Sequence, residues 1–263
     1  MFNISHKLTS KLPFQIRYIQ QCPPPKYDTG CTYCNLPSEM EENLKSPPES
    51  IRNTIPPLNR LIFHRSGNKD HDNWPKKVEV FDIMRNISKF GRGNGNMICM
   101  SSLSPINEMT TNDQQNVDFA IYPDAQTISI NGNDSTELEK LFKIINSNDS
   151  NNSISLSKHF RASKIDKTIV LICGHTQRDI RCGVLGKIIH KEFEEVLKRE
   201  NLENDVELGY ISHVGGHVYA GNLVILKPNG KMFWYGMVRP HHVQGLVDQS
   251  IKSSDLIEEL SRQ

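Results

Sequence analysis

Two stretches of the chain show the same order of predicted secondary structure, and this order limits the possible folds more than any other feature of the sequence. In the second stretch, Thr168–Ile172 is a continuous apolar and β-branched run, which predicts a buried strand. Further along, Pro228-Asn229-Gly230 lies between two apolar runs and predicts a hairpin. The order is β-α-β-β-β-α, with strand 168–172, helix 184–197, strands 206–212, 223–226 and 232–238, and a closing helix from 243.

The first stretch repeats this order with shorter patterns. Its elements are strand 61–63, helix 80–87, strand 97–103, hairpin strands 119–122 and 126–130, and helix 138–145. A strand, a crossover helix, a second strand, a hairpin and a helix make up a thioredoxin-like layer, in which helices cover the faces of a mixed sheet. We therefore predict an α/β protein with two thioredoxin-like lobes, each β-α-β-β-β-α, although the two stretches share no repeated sequence.

Composition shifts divide the chain into five predicted segments. The N-terminal lobe spans 58–146 and the C-terminal lobe spans 166–263. Between them, 147–165 is predicted as a polar linker because its Asn, Ser and Asp residues are too polar to pack. Ahead of the lobes, 22–57 contains cysteines and prolines, and 1–21 is a basic leader.

The leader carries Lys7, Lys11 and Arg17, and no acidic residue precedes Asp28. A basic, acid-free start with interspersed apolar residues resembles a mitochondrial presequence. A disordered basic tail is the equal alternative.

The composition argues against several classes of protein. With 31 Lys+Arg and 30 Asp+Glu, the net charge of +1 gives no indication of a nucleic-acid partner. The longest apolar runs are far too short to cross a bilayer, so we predict no membrane span. Six cysteines are too few for a secreted disulfide scaffold, and their clustering indicates metal or redox ligands.

Four residues in the second stretch have the composition of one metal centre. Cys173 ends a predicted strand, Cys182 begins a helix, and His213 and His217 follow the next strand. Eight residues separate the two cysteines, which is wider than the two to four typical of zinc sites. This loop suits a larger group such as a [2Fe-2S] cluster. Buried core thiols with hydrogen-bonded histidines, or a catalytic Cys–His pair, are the alternatives.

A longer set of residues around these four resembles the sucrase/ferredoxin-like family. The matching residues are Cys173-Gly174-His175, Arg178-Asp179, Cys182-Gly183, Ser212 to His217, Ala220-Gly221-Asn222, Trp234 to Val238 and Pro240-His241. The resemblance implies a thioredoxin-like [2Fe-2S] ferredoxin with its cluster in the C-terminal lobe. It implies Cys173, Cys182, His213 and His217 as the cluster ligands, and His175, Arg178 and His241 as neighbours of those ligands.

The N-terminal segment holds a second group of cysteines. Cys22, Cys31 and Cys34 have the spacing C-x8-C-x2-C, and the last two form a CxxC. Unligated or disulfide-forming thiols, a zinc site completed by a distant ligand, and a catalytic dithiol remain open.

Together these observations predict a mitochondrial electron carrier, in the matrix or the intermembrane space, that acts in redox and thiol homeostasis. It would exchange electrons with unidentified protein partners rather than convert a substrate of its own. A thiol-disulfide oxidoreductase using Cys31 and Cys34 is one alternative, and a zinc-stabilised structural module is the other.

Overall fold

The computed structural model describes residues 17–34, 37–38, 50–91, 95–106, 116–147 and 156–263. Residues 1–16 of the predicted basic leader, 35–36 and 39–49 of the predicted Cys- and Pro-containing segment, and 148–155 of the predicted linker lie outside this description. The strands are β1 Tyr18–Ile19, β2 Arg60–Arg65, β3 Asn96–Ser101, β4 Asn116–Tyr122, β5 Gln126–Asn131, β6 Arg161–Lys164, β7 Thr168–Cys173, β8 Val206–Ile211, β9 Leu223–Leu226, β10 Met232–Tyr235 and β11 Leu256–Ile257. The α-helices are α1 Asp82–Gly91, α2 Ser135–Ser147, α3 Ile180–Arg199 and α4 Val243–Leu246, which continues as a π-helical segment, Val247–Lys252.

Nine strands form one mixed sheet in the order β10-β9-β7-β8-β3-β2-β4-β5-β6. In the first half, β2 pairs with β3 in parallel and with β4 antiparallel, and β4 pairs with β5. The second half repeats this arrangement, with β7 between parallel β8 and antiparallel β9, and β10 beyond β9. The two halves meet at an antiparallel contact of β3 with β8, where Ser101 is paired with Ile211. The α/β prediction is confirmed, and both predicted lobes contribute to a single sheet.

One strand falls within the segment that we predicted as a polar linker, 147–165. Strand β6, Arg161–Lys164, pairs antiparallel with β5 at the edge of the sheet. Its sequence, Arg-Ala-Ser-Lys, has no apolar alternation, and its residues are exposed or half-buried. Backbone hydrogen bonding to β5 rather than side-chain burial therefore defines this strand, which explains why the sequence pattern did not indicate it.

The end of the chain also differs from the predicted helix. After the π-helical segment, Leu256–Ile257 forms β11, which pairs in parallel with Tyr18–Ile19 of β1. The N-terminal segment thus lies against the second half. Gln244 holds it there, because its Oε1 accepts from the backbone N–H of Lys26 at 2.8 Å and its Nε2 donates to the carbonyl of Tyr27 at 2.7 Å.

The buried apolar side chains form two clusters. Helices α1 and α2 cover one face of the first half, where Phe119 and Leu141 are fully buried. The other cluster runs through the second half and includes Phe63 and Tyr122 from the opposite face of the first half. Within the described residues, no helix is both long and apolar enough to cross a membrane.

Candidate metal centre

The junction between β7 and α3 positions both cysteines. Cys173 is the last residue of β7, in which every residue is buried, and Cys182 lies in the first turn of α3. The side chain of Asp179 caps the helix by accepting from the backbone N–H of Arg181 at 3.0 Å. The capped helix start therefore places Cys182 against the end of the neighbouring strand.

Close packing of the helix against this strand depends on a glycine. A Cβ on Gly186 would lie 2.7 Å from the carbonyl oxygen of Cys173, which is closer than a side chain allows. The absence of a side chain lets α3 approach the strand end directly. The glycine thus allows the start of α3, which carries Cys182, to lie close to Cys173.

Three side chains come together at this junction. The Sγ atoms of Cys173 and Cys182 and a ring nitrogen of His213 all lie within 4.8 Å of one another. Both cysteines are buried and His213 is half-buried. In the described part of the chain, no other group of three or more Cys, His, Asp or Glu residues has this metal-ligand geometry.

The two cysteines influence each other's ionisation in opposite directions. Hydrogen bonds from Cys182 and His213 hold the pKa of Cys173 well below its usual value, despite its burial. Interaction with Cys173, together with burial, raises the pKa of Cys182. The Nδ1 atom of His213 is buried and has no hydrogen-bond partner among the described residues. A metal ion with a preference for thiolate and imidazole would satisfy these groups.

His217 lies beside this group but outside it. Its ring centroid is 5.6 Å from that of His213, and its side chain is exposed. Gly215 and Gly216 between them have φ values of 81° and 65°, so the chain bends sharply there. The role of His217 as a fourth ligand stays a prediction.

His175 contacts the backbone of His213. Its Nδ1 accepts from the N–H of His213 at 3.3 Å, so its Nε2 donates to the carbonyl of Pro75 at 3.0 Å. A single neutral tautomer satisfies both bonds. His175 is 2% exposed, and burial is the main cause of its lowered pKa.

The other predicted neighbours lie further out. Arg178 is exposed and lines a cavity of about 490 Å³ beside His175 and His213. Arg181 instead pairs with Asp179 through two bonds of 2.9 and 2.8 Å. The exposed His241 packs its ring against His242 at a centroid distance of 4.0 Å. The structure does not bring His241 into the Cys–His group.

Sequence reasoning missed the segment between β2 and α1, which lies against the Cys173 loop. The Nδ1 of His71 donates to the carbonyl of Gly174 at 2.8 Å, and the hydroxyl of Thr176 donates to Asp72 at 2.7 Å. Trp74 packs edge-on against the ring of His175, with centroids 6.1 Å apart. These contacts join residues about a hundred positions apart, so no local pattern could have indicated them.

The three N-terminal cysteines occupy two places. Cys22 packs against α4, where its Sγ lies 3.5 Å from the carbonyl of His242. Cys31 and Cys34 lie against α3 with their Sγ atoms 3.1 Å apart. The structure therefore brings two of the three cysteines together and leaves the third against another helix.

The chain is similar to known proteins over most of its length. The sucrase/ferredoxin-like family matches residues 51–263. A protein of Meyerozyma guilliermondii named Altered inheritance of mitochondria protein 32 is 30% identical, over 94% of this chain and 95% of its own length. Proteins of the same name from Clavispora lusitaniae and Debaryomyces hansenii are 32% and 29% identical, over 93% and 94% of this chain and 95% and 96% of their own lengths.

Proposed function

The chain belongs to the sucrase/ferredoxin-like family, and from this premise we propose that it is a mitochondrial electron-transfer protein with one [2Fe-2S] cluster. The observation that carries the proposal is the group of two cysteines and one histidine within 4.8 Å of one another. We further propose that it acts in redox and thiol homeostasis and has no substrate of its own.

The donor set fits an iron–sulfur cluster. Cys173 and Cys182 supply thiolates, and the Nδ1 atom of His213 is buried without a hydrogen-bond partner among the described residues. We propose His217 as the fourth ligand because the bend at Gly215 and Gly216 places it next to His213. When bound, such a cluster accepts and releases a single electron. Histidine ligands raise its potential from about −400 mV toward about −150 to +300 mV.

The protein's own residues would hold the ligands rigidly and offset negative charge. His175 fixes the backbone of His213 and is itself fixed by Pro75. Cys182 lies in the first turn of α3, where the positive end of the helix dipole would offset part of the negative charge of a bound cluster. The exposed guanidinium of Arg178 adds a positive charge in the cavity that His213 also lines.

The cavity beside His213 supports a protein redox partner with an acidic surface. Lys76 and Lys77 line it from the first half and Arg178 from the second, with Glu79 as an acidic residue of the lining. Basic side chains at a docking surface attract acidic partners and speed association. Electron exchange at this cavity would place the partner next to His213.

The mitochondrial location is proposed from the name that the relatives carry. It agrees with the basic, acid-free start of the sequence, and both the matrix and the intermembrane space fit. We also infer that each half is a thioredoxin-like layer, since both place their strands in the same order and with the same relative directions.

Anaerobic purification with iron and sulfide analysis tests the proposal. We expect a red-brown protein with iron and acid-labile sulfide in equal amounts, about two of each per chain. A colourless protein that contains one zinc ion per chain would overturn it in favour of a zinc-stabilised module. A colourless, metal-free protein after anaerobic reconstitution with iron and sulfide would overturn both.

A further inference from the structure

The CxxC in the N-terminal segment has the geometry of a reactive dithiol. The Sγ atoms of Cys31 and Cys34 are 3.1 Å apart, about 1 Å more than a disulfide bond requires. The backbone N–H of Cys34 donates to the carbonyl of Cys31 at 3.1 Å, which closes a turn. A small adjustment of the side chains would therefore bring the sulfur atoms to bonding distance.

The two cysteines differ in access to solvent. Cys31 is 4% exposed, whereas Cys34 is an exposed residue at the end of the turn. Burial, followed by contact with Cys34, raises the pKa of Cys31 to about 11. Cys31 is therefore protonated at neutral pH, and a partner reaches the sulfur of Cys34 first.

A buried carboxylate holds the turn in place. Glu192 of α3 is fully buried, and its Oε1 accepts from the hydroxyl of Thr32 at 2.8 Å. Its Oε2 accepts from the hydroxyl of Thr29. Because Thr29 and Thr32 flank Cys31, this contact fixes the buried cysteine and leaves Cys34 on the outer side of the turn.

We propose that Cys31 and Cys34 form a reversible dithiol–disulfide couple that exchanges with disulfide bonds of other polypeptides, with Cys34 as the attacking sulfur. This site goes beyond the proposed function because it requires no cluster. The exposed ring of Tyr33, between the cysteines, offers an apolar contact for a polypeptide beside Cys34.

The proposed thiol–disulfide exchange takes two steps. The thiolate of Cys34 attacks a partner disulfide, forms a mixed disulfide and releases one partner thiolate. Cys31 then loses its proton to solvent, attacks the Cys34 sulfur and releases the second partner thiolate. The dithiol loses two electrons to the partner disulfide, and a thiol reductant reverses the reaction.

Peptide-resolved mass spectrometry of the full chain tests this proposal. Trypsin cleaves after Lys26 and Lys45, so one peptide carries Cys31 and Cys34 and no other cysteine. In glutathione buffers at pH 7, a growing share of this peptide should become lighter by two hydrogen atoms as the ratio of oxidised to reduced glutathione rises. It should return to the dithiol on addition of reduced glutathione.

Single variants identify the attacking sulfur. Cys31→Ser should trap glutathione on Cys34, whereas Cys34→Ser should trap at least tenfold less on Cys31 at the same time. The reaction rate with a disulfide-linked peptide tests whether the partner is a polypeptide. This peptide should react at least tenfold faster than glutathione disulfide. Equal rates would overturn the proposal that the partner is a polypeptide. Cys22→Ser is the matched control and should leave the exchange unchanged, since Cys22 lies against α4.

Three results would overturn the couple itself. The first is that the peptide with Cys31 and Cys34 stays reduced in the most oxidising buffer. The second is that glutathione is trapped on Cys31 in preference to Cys34. The third is that zinc is bound at the CxxC. The visible spectrum of the same samples reports separately on the cluster. Loss of colour with normal exchange at Cys34 would contradict the proposed function and leave the dithiol proposal standing.

Discussion

The two halves of the sheet share their strand order but use the same connection in different ways. In the second half, the connection from β7 to α3 is short, and the candidate ligands Cys173 and Cys182 lie on the strand and the helix that it joins. In the first half, the connection from β2 to α1 is longer, contains no cysteine, and carries His71 and Trp74. A common topology therefore supplies the position of a site, and the residues of one connection decide whether a site is present.

The first-half connection does not form a second site but contacts the site in the second half. His71 bonds to Gly174, and Pro75 accepts from His175, so both bonds fix residues next to the ligands. The ring of His71 also packs on Tyr210 of β8, with centroids 3.6 Å apart. Contacts from the first half therefore help to hold the candidate metal centre of the second half.

The largest expected effect is a difference in iron content between variants of two buried cysteines, one in each half. Cys173→Ser should remove nearly all iron and visible absorbance, because the proposed cluster would lose a thiolate ligand. Cys99→Ser is the matched control, since Cys99 is equally buried in β3 of the first half but lies outside the donor group. Iron analysis and absorbance spectra check this. Equal iron loss in both variants would show that the change acts through folding rather than ligation.

The next largest effect distinguishes the two histidines. His213→Ala should lose more iron than His217→Ala, since His213 lies within the donor group and His217 is exposed beside it. Iron content after gel filtration measures the difference.

Replacement of the outer histidine by a thiolate tests its ligation directly. His217→Cys, if the proposed cluster assembles in it, should lower the reduction potential because a thiolate would add negative charge to the cluster. Voltammetry measures the shift. An unchanged or raised potential in that variant would contradict ligation by His217.

A smaller effect tests the contact between the halves. His71→Leu removes the hydrogen bond to Gly174 and should cost about 1–3 kcal/mol of stability, because the buried carbonyl of Gly174 loses the shorter of its two hydrogen bonds. The proposed cluster of this variant should also lose iron faster to a chelator. Denaturant unfolding and timed chelation measure the two effects. As a control, Asp82→Asn removes an exposed ion pair with Arg85 and should change neither quantity measurably.

The smallest effect concerns acid stability of the first half. Burial lowers the pKa of His64 to about 4, partly offset by Asp118, so the folded protein keeps this residue neutral while the unfolded chain protonates below about 6.5. The stability that follows from its neutral state is present above about pH 6.5 and is lost as the pH falls toward 4.

The variant His64→Phe isolates this contribution. It should reduce the loss of stability between about pH 7 and 5.5 by about 1 kcal/mol. Denaturant unfolding at both values measures it, and an identical loss in the variant and the original chain would contradict a neutral buried His64.

Local sequence patterns determined the element order and the identity of the candidate donors. Continuous apolar residues made Thr168–Ile172 a strand, and hairpin residues at Pro228 to Gly230 joined β9 to β10. Cys173, Cys182 and His213, which the structure brings together, were already indicated by their places at strand and helix ends. Such features depend on neighbouring residues, whose preferences a sequence displays directly.

Only the tertiary structure decided how these elements combine. The pairing of β3 with β8 joined both halves into one sheet, and β6 formed from a polar segment because β5 offered backbone partners. The same holds for the bond from His71 to Gly174 and for the exposed position of His217. These contacts depend on the packing of residues far apart in the chain, where burial and hydrogen bonding outweigh local preference.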